Sequence, residues 1–246
     1  MAMVTSQNNS KNINLFQVEY HTTTGRQYPL EIGYSSIPSG LVPVDAKATI
    51  RACRNGCSLY GRNGGCPPFS KKFSKIRRSH SLILYAKMLT EFYPPKVLNG
   101  RYYTRWVFVE TFMTALTNRI GKKLASALDG YFLSSGHCCA CRPKRCAVKD
   151  GKPCRKPDVR TYSLEATGIL VTELMKDVFD IELQWWRPKE PDYIPKYMLK
   201  VIGLTREKAF TADETKGAIV SALKGDRIVA YEYNVFNKSS SLLSST

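Results

Sequence analysis

The stretch from Tyr103 to Leu128, YTRWVFVETFMTALTNRIGKKLASAL, carries the longest periodic pattern in this chain of 246 residues. Apolar side chains recur in it every three or four residues, at Val109, Phe112, Met113, Leu116, Ile120, Leu124 and Leu128. This spacing is typical of a helix with one apolar face. The sequence therefore predicts a long amphipathic helix that ends before Gly130.

Strand and helix patterns alternate on both sides of this helix. Strands are predicted at 15–20 and 28–34, which form an N-terminal hairpin, and at 81–86, 131–134, 181–185, 197–204 and 227–236. Helices are predicted at 70–78, from Ser163 as N-cap to about 178, and at 213–223. The alternation predicts an α/β or α+β fold, a layered domain with a mixed sheet flanked by helices and with the cysteine-rich loops at strand ends.

Chain length and composition favour one domain with one substantial core, because 43% of the residues are hydrophobic. We predict a single domain at 13–237, made of the hairpin (13–50), a cysteine-rich core (51–205) and a C-terminal helix-strand extension (206–237). The polar ends, 1–12 and 238–246, are predicted to be disordered tails.

The eight cysteines fall into two tight groups. The first contains Cys53, Cys57 and Cys66, and the second contains Cys138, Cys139, Cys141, Cys146 and Cys154. Thiols this close along a chain converge on one metal ion or cluster at a small cost in loop-closure entropy. The spacing therefore predicts metal binding.

The second group has enough thiols for a complete site. We predict Cys138, Cys141, Cys146 and Cys154 as its ligands, with Cys139 spare because adjacent cysteines rarely face the same metal. Cations surround these thiols and are expected to lower their pKa and offset the charge of a thiolate cluster: Arg142, Lys144, Arg145, Lys149, Lys152, Arg155 and Lys156.

The first group has three thiols and four nearby glycines, Gly56, Gly61, Gly64 and Gly65, whose N–H groups suit inorganic sulfide. A proline follows Cys66, as one follows a cluster cysteine in bacterial ferredoxins. A fourth ligand would come from His80, His137 or Cys139, or else one iron stays open to a substrate. A single centre shared by both groups is the alternative to two centres.

The identity of the metal is predicted from the number of C-x2-C motifs, which are called knuckles in zinc sites. Zinc ribbons pair two C-x2-C knuckles, and this chain has only one, from Cys138 to Cys141. One or two [4Fe–4S] clusters are therefore the leading prediction, zinc is the alternative, and disulfides or free thiols come last.

The formal charge of +17 favours an anionic partner, such as RNA or the ribosome, an anionic small molecule or an acidic protein. Five cations lie close to Phe69 and Phe73, a pattern that suits nucleic acid: Lys71, Lys72, Lys75, Arg77 and Arg78. Arg142, Lys144, Arg145, Arg155 and Lys156 are the second candidate set for anion or nucleic-acid binding. Trp185 and Trp186 are expected to lie in the core or at its rim more often than to stack bases.

The first ten residues lack the basic and apolar regions of an export signal, and no apolar run approaches the length of a membrane span. A cytoplasmic protein without membrane contact is therefore expected.

The cysteine motifs together resemble a known family. Cys53, Cys57, Tyr60-Gly61, Cys66-Pro67-Pro68, Gly136, Cys138 to Cys146, Pro153-Cys154-Arg155-x-Pro157 and Ser163-x-Glu165-Ala166-x-Gly168 look like the predicted metal-binding proteins of domain-of-unknown-function family 2284. The resemblance covers about residues 50–205 and implies metal or iron–sulfur binding without naming a reaction. The family pattern reads more like C-x2-C-x2-C, whereas here four residues separate Cys141 from Cys146.

Two functions follow from these patterns. The first is an iron–sulfur protein with a four-cysteine cluster and a three-cysteine site, acting in electron transfer with a redox partner or on a sulfur-containing or anionic substrate. The second is a metal-stabilised RNA-binding or ribosome-binding protein without catalysis. No dinucleotide fingerprint, phosphate loop or serine elbow occurs, so the sequence does not decide whether the protein is an enzyme.

Overall fold

The computed structural model describes residues 13–22, 25–224 and 228–234. The predicted tails and the turn at Gly225-Asp226 lie outside these ranges. Within them, seven strands form one sheet in the order β5-β4-β6-β3-β2-β1-β7. The strands are β1 (Asn14–His21), β2 (Gln27–Pro38), β3 (His80–Leu89), β4 (Tyr131–Ser134), β5 (Tyr162–Ser163), β6 (Tyr197–Arg206) and β7 (Ile228–Asn234). Only the β4–β5 pair is parallel among these ladders, so the predicted mixed sheet with an α+β layout is confirmed.

The centre of the sheet is buried on both faces. Leu82 and Leu84 of β3 belong to the core on one face, while Ile83 and Tyr85 belong to the core on the other. A strand with two buried faces needs apolar residues at every position, which is why 81–86 reads as a continuous apolar run. The predicted strand and the N-terminal hairpin of β1 and β2 are both confirmed.

A long helix packs on one face of the sheet and a shorter helix packs on the other. The helices are α1 (Ala46–Gly56), α2 (Pro95–Leu98), α3 (Tyr102–Ala127), α4 (Val171–Phe179) and α5 (Ala212–Lys224). The long helix α3 confirms the periodic pattern, because Met113, Leu116 and Ile120 are completely buried against one face. The shorter α4 packs Leu174 and Met175 onto the opposite face.

Three predicted elements are wrong, each because a contact outside the element decides the local conformation. Residues 70–78 form only the 3-10 turn Phe73–Lys75, and the Ser70 hydroxyl donates to the Ala166 carbonyl at 2.6 Å. Residues 181–185 form no strand, and the Gln184 side-chain oxygen instead accepts a hydrogen bond from the backbone N–H of Lys196, just before β6. The helix expected from Ser163 is broken at Gly168, where φ is +103°, and regular helix begins at Val171.

The C-terminal helix and strand return to the first part of the chain, since β7 pairs with β1 at the sheet edge. The predicted domain boundaries stay a prediction. In the described ranges, no helix is both long enough and apolar enough to cross a bilayer.

Candidate metal centre

Helix α1 carries the first two cysteines, although the sequence analysis did not predict a helix there. Asp45 caps its N-terminus, because Oδ1 accepts hydrogen bonds from the backbone N–H groups of Lys47 and Ala48 at 2.9 Å each. The four-residue spacing places Cys53 and Cys57 one above the other at the C-terminal end of the helix. Cys53 is half-buried and Cys57 is exposed. The metal loops predicted at strand ends therefore begin, in this case, on a helix.

The segment after Ser163 holds α1 in position. The Asp45 backbone N–H donates to the Gly168 carbonyl at 2.9 Å, and a Cβ at Gly168 would lie only 2.9 Å from the Cβ of Ala46. Gly168 therefore makes room for the start of α1. Glu165 of this segment and Cys53 line the same cavity. Burial raises the pKa of Cys53, and the Cys57 thiol and the Glu165 carboxylate add to the increase.

The third cysteine lies in a tight turn. Within it, the Asn63 side chain accepts from the Gly65 N–H at 2.9 Å, and the Asn63 carbonyl accepts from the Cys66 N–H at 2.9 Å. Cys66 is buried. The pair Asn63-Gly64 was a turn signal that the sequence analysis did not use.

This turn packs directly against the second cysteine group. The Asn63 side-chain amide donates to the Cys138 carbonyl at 3.0 Å, and the Gly64 N–H donates to the Cys146 Sγ at 3.4 Å. A Cβ on Gly65 would lie 2.6 Å from the Cβ of Cys138, so only glycine allows this approach. The two cysteine groups, about 80 residues apart in the chain, therefore lie together in the fold.

The second group begins four residues after the end of β4 and surrounds a cavity of about 230 Å³, which we call the cysteine cavity. All five thiols of the group line it: Cys138, Cys139, Cys141, Cys146 and Cys154. Four cations line it as well: Arg142, Lys144, Arg145 and Arg160. Arg160 was not among the predicted residues, and it also lies over the ring of Tyr162 at 5.2 Å.

Burial dominates the acidity of the thiols with resolved shifts. Burial raises the pKa of Cys66 to about 12, and neighbouring thiols in both cysteine groups add to the increase. The pKa of Cys139 is also raised, first by burial, although Arg142 acts in the opposite direction. The expected lowering by surrounding cations is therefore wrong for Cys139. Metal binding to such thiols must displace a proton from each.

Of the three candidates for a further ligand, His137 and Cys139 lie together, whereas His80 lies elsewhere, in the sheet. His137 lies beside the spare cysteine, with Nε2 at 3.5 Å from the Cys139 Sγ, and burial lowers its pKa. Both residues line the cysteine cavity with the second group. His80 begins β3 and lies opposite Arg206 in the sheet.

The donor set can be tested against a single metal ion. Among the described residues, no three His, Cys, Asp or Glu side chains are grouped as ligands of one ion. A zinc site brings four ligands to about 2.3 Å of one centre, whereas each thiolate of a cluster binds a different iron and stands further from the others. The described side chains therefore do not form a preassembled site for a single ion.

The predicted anion-binding cations lie on the surface. Lys71, Lys72, Lys75, Arg77 and Arg78 are all exposed, and Arg78 pairs with Glu207 at 3.4 Å. Phe69 beside them is 42% exposed, but Phe73 is buried and cannot stack on a base. The second set, Arg142, Lys144, Arg145, Arg155 and Lys156, is exposed around the cysteine cavity.

Comparison with known proteins gives one result. A family model described as "Predicted metal-binding protein (DUF2284)" matches residues 35–202, which include all eight cysteines. No curated protein and no solved structure matches the chain. The chain therefore belongs to the DUF2284 family of predicted metal-binding proteins.

Proposed function

We propose that the protein binds one or two [4Fe–4S] clusters and acts in electron transfer or on a sulfur-containing or anionic substrate. Cys138, Cys141, Cys146 and Cys154 hold a four-cysteine cluster in this proposal. Cys53, Cys57 and Cys66 hold a second site, or join the first group in one shared centre.

The contact between the Asn63–Cys66 turn and the second cysteine group carries the proposal. Backbone N–H groups from glycine-rich turns donate to sulfur in iron–sulfur sites, where they stabilise the negative charge of the cluster. The Gly64 N–H already donates to the Cys146 Sγ at 3.4 Å. Because the turn also contains Cys66, any metal held by one group lies close to the other group.

The cations around the cysteine cavity favour an anionic substrate over a neutral or cationic one. Arg142, Lys144, Arg145 and Arg160 add positive charge that stabilises bound thiolates and attracts anions. A bound cluster would supply one-electron transfer or, at a three-cysteine site, an iron with an open position for substrate. The side chains of the protein fix the thiols, limit access to solvent and offset the charge.

The test is the measurement of iron, zinc and acid-labile sulfide, with an absorption spectrum, on protein purified without oxygen. We expect about eight irons and eight sulfides for two clusters, or about four of each for one shared centre. Cys154→Ser should lose a cluster, whereas the control Ser74→Ala, at an exposed residue that does not line the cysteine cavity, should keep the wild-type content. One or two zinc ions without sulfide would refute the proposal and make the metal structural.

An RNA-binding function is the second candidate, supported by five exposed cations beside the exposed ring of Phe69. It requires salt-dependent binding, since each cation that contacts phosphate releases a counterion. The variant Lys71→Gln/Lys72→Gln/Lys75→Gln should reduce the slope of log affinity against log salt by about 2, measured by fluorescence anisotropy with single-stranded RNA. Lys189→Gln, on an exposed loop, serves as the control. Negligible binding by the wild type at low salt would exclude this function.

A further inference from the structure

A second and larger cavity lies at the edge of the sheet, next to the first cysteine group. The short β4 pairs with β6 only from Gly203 to Thr205, so the preceding residues of β6 have no neighbour on that side among the described ladders. Met198–Val201 instead line a cleft of about 740 Å³. Helices α1 and α3 form its walls, and Cys53 and Cys57 lie at one end. This volume is within the range of small-molecule sites.

The walls of the cleft are rich in aromatic side chains. The chain has three tryptophans, Trp106, Trp185 and Trp186, and all of them line the cleft together with Tyr102. Trp106 is 43% exposed and Trp185 is 56% exposed, whereas Trp186 is buried. Large indole rings that remain exposed inside a concave surface are typical of ligand sites. We call this site the tryptophan cleft.

The charge of the tryptophan cleft is opposite to that of the whole protein. Three carboxylates, those of Glu110, Glu165 and Glu173, line it with a single basic side chain, Lys200. Lys200 is already paired with Glu110 in a contact where both side chains are about four-fifths buried. Glu165 and Glu173 therefore leave the cleft with a net negative charge in a chain of +17. The cysteine cavity, lined by arginine and lysine, has the reverse character.

Helix α1 makes room for a ligand in this cleft. Its lining residues, Thr49, Ala52, Cys53 and Gly56, follow the spacing of one helix face, and all of them are small. The arginines Arg51 and Arg54 of α1 do not line the cleft, and Arg54 lies over the ring of Tyr60 instead. The lining of the cleft therefore combines small side chains, aromatic rings and carboxylates.

We propose that the tryptophan cleft binds a small organic cation with an apolar or aromatic body. Exposed indole faces attract cations through the ring quadrupole, and the carboxylates of Glu165 and Glu173 add Coulomb attraction. The apolar body is accommodated by residues such as Val109 and Leu199. The proposal goes beyond the proposed function, and the aromatic rings and carboxylates that carry it are not among the proposed metal ligands.

The test uses three probes with the same phenylethyl or benzyl body and different charges: 2-phenylethylamine, 2-phenylethanol and phenylacetate. Since every tryptophan lines the cleft, the intrinsic tryptophan fluorescence of the protein purified without oxygen reports binding directly. We expect a saturable change with the amine at a Kd of about 10 mM or tighter, weaker binding of the alcohol and none of the acid. Equal binding of the three probes, tightest binding of the acid, or no saturation by the amine would overturn the proposal.

A variant that removes the charge of Glu165 tests whether this carboxylate gives the cleft its preference for cations. Glu165→Gln should weaken binding of the amine by about fivefold or more while leaving the alcohol unchanged. Glu91→Gln, an exposed carboxylate that does not line the cleft, is the matched control. Equal affinity of both variants for the amine would refute the role of the cleft charge. Iron and sulfide are measured separately on the same samples, so failure here leaves the iron–sulfur proposal standing.

Discussion

The packing of the Asn63–Cys66 turn against the second cysteine group can be tested with one methyl group. In Gly65→Ala the new Cβ would lie 2.4 Å from the carbonyl oxygen of Thr161 and 2.6 Å from the Cβ of Cys138. Both distances are far below van der Waals contact, and neither neighbour is the tip of a flexible side chain. The turn must therefore move away from Cys138.

The stability lost in Gly65→Ala follows from this steric overlap. Inserting a methyl group into a packed site costs about 1–3 kcal/mol, and two rigid neighbours place Gly65→Ala near the upper end. For a chain of this size, about 3 kcal/mol lowers the melting temperature by about 6–12 °C. Metal content should fall as well, because the displaced turn carries Cys66 away from Cys138 and Cys146.

A neighbouring glycine provides the control for this variant. In Gly64→Ala the nearest contact is a methyl carbon of Val148 at 3.0 Å, which can rotate away, so the loss should be about 1 kcal/mol or less. Melting is followed by circular dichroism without oxygen, with iron and zinc measured on the same samples. If Gly65→Ala keeps the wild-type melting temperature and metal content, the contact between the two cysteine groups is not the one described.

Three further variants test the supports of the site and the fold. Gly168→Ala should lower the free energy of unfolding in urea by about 2–3 kcal/mol, because φ is +103° and the new Cβ would meet the start of α1. The control Gly151→Ala, with φ of +71° and open space around the Cβ, should lower it by only about 1 kcal/mol. Equal losses would show that packing against α1 contributes nothing. Hydrogen bonds from Arg206 lower the pKa of Glu214 to about 2 from 4.5, so this pair stabilises the fold above about pH 4.5 and its contribution is lost as the pH falls toward 2. Glu214→Gln should therefore lower the urea midpoint at pH 7 and reduce the difference between pH 7 and pH 3, and an unchanged pH dependence would contradict the shift. Gly121→Ala should destabilise the protein although alanine favours a helix, because its Cβ would overlap an aromatic ring of β4; a rise in melting temperature would refute this packing.

Periodicity allowed the regular elements to be predicted. The helix at 103–128 and the strand at 81–86 are long or strongly apolar, so their local pattern and their tertiary contacts agree. Residues 181–185 have the composition of a strand but no ladder partner in the described structure. Helix α1 was missed because its apolar residues are few, and Asp45 was the cap signal that could have revealed it.

The residues available for metal chemistry can be read from the sequence, because spacing along the chain groups Cys53 with Cys57 and Cys138 with Cys141. It also determined the long helix and the central strands, since these depend on local periodicity. Only the tertiary structure decided that the two cysteine groups meet and that a negatively charged cleft lies beside them. Both features depend on the positions of α1 and of the loop after β4 relative to the sheet. That placement rests on contacts such as Gly64 with Cys146, between residues 82 positions apart, which no local pattern encodes.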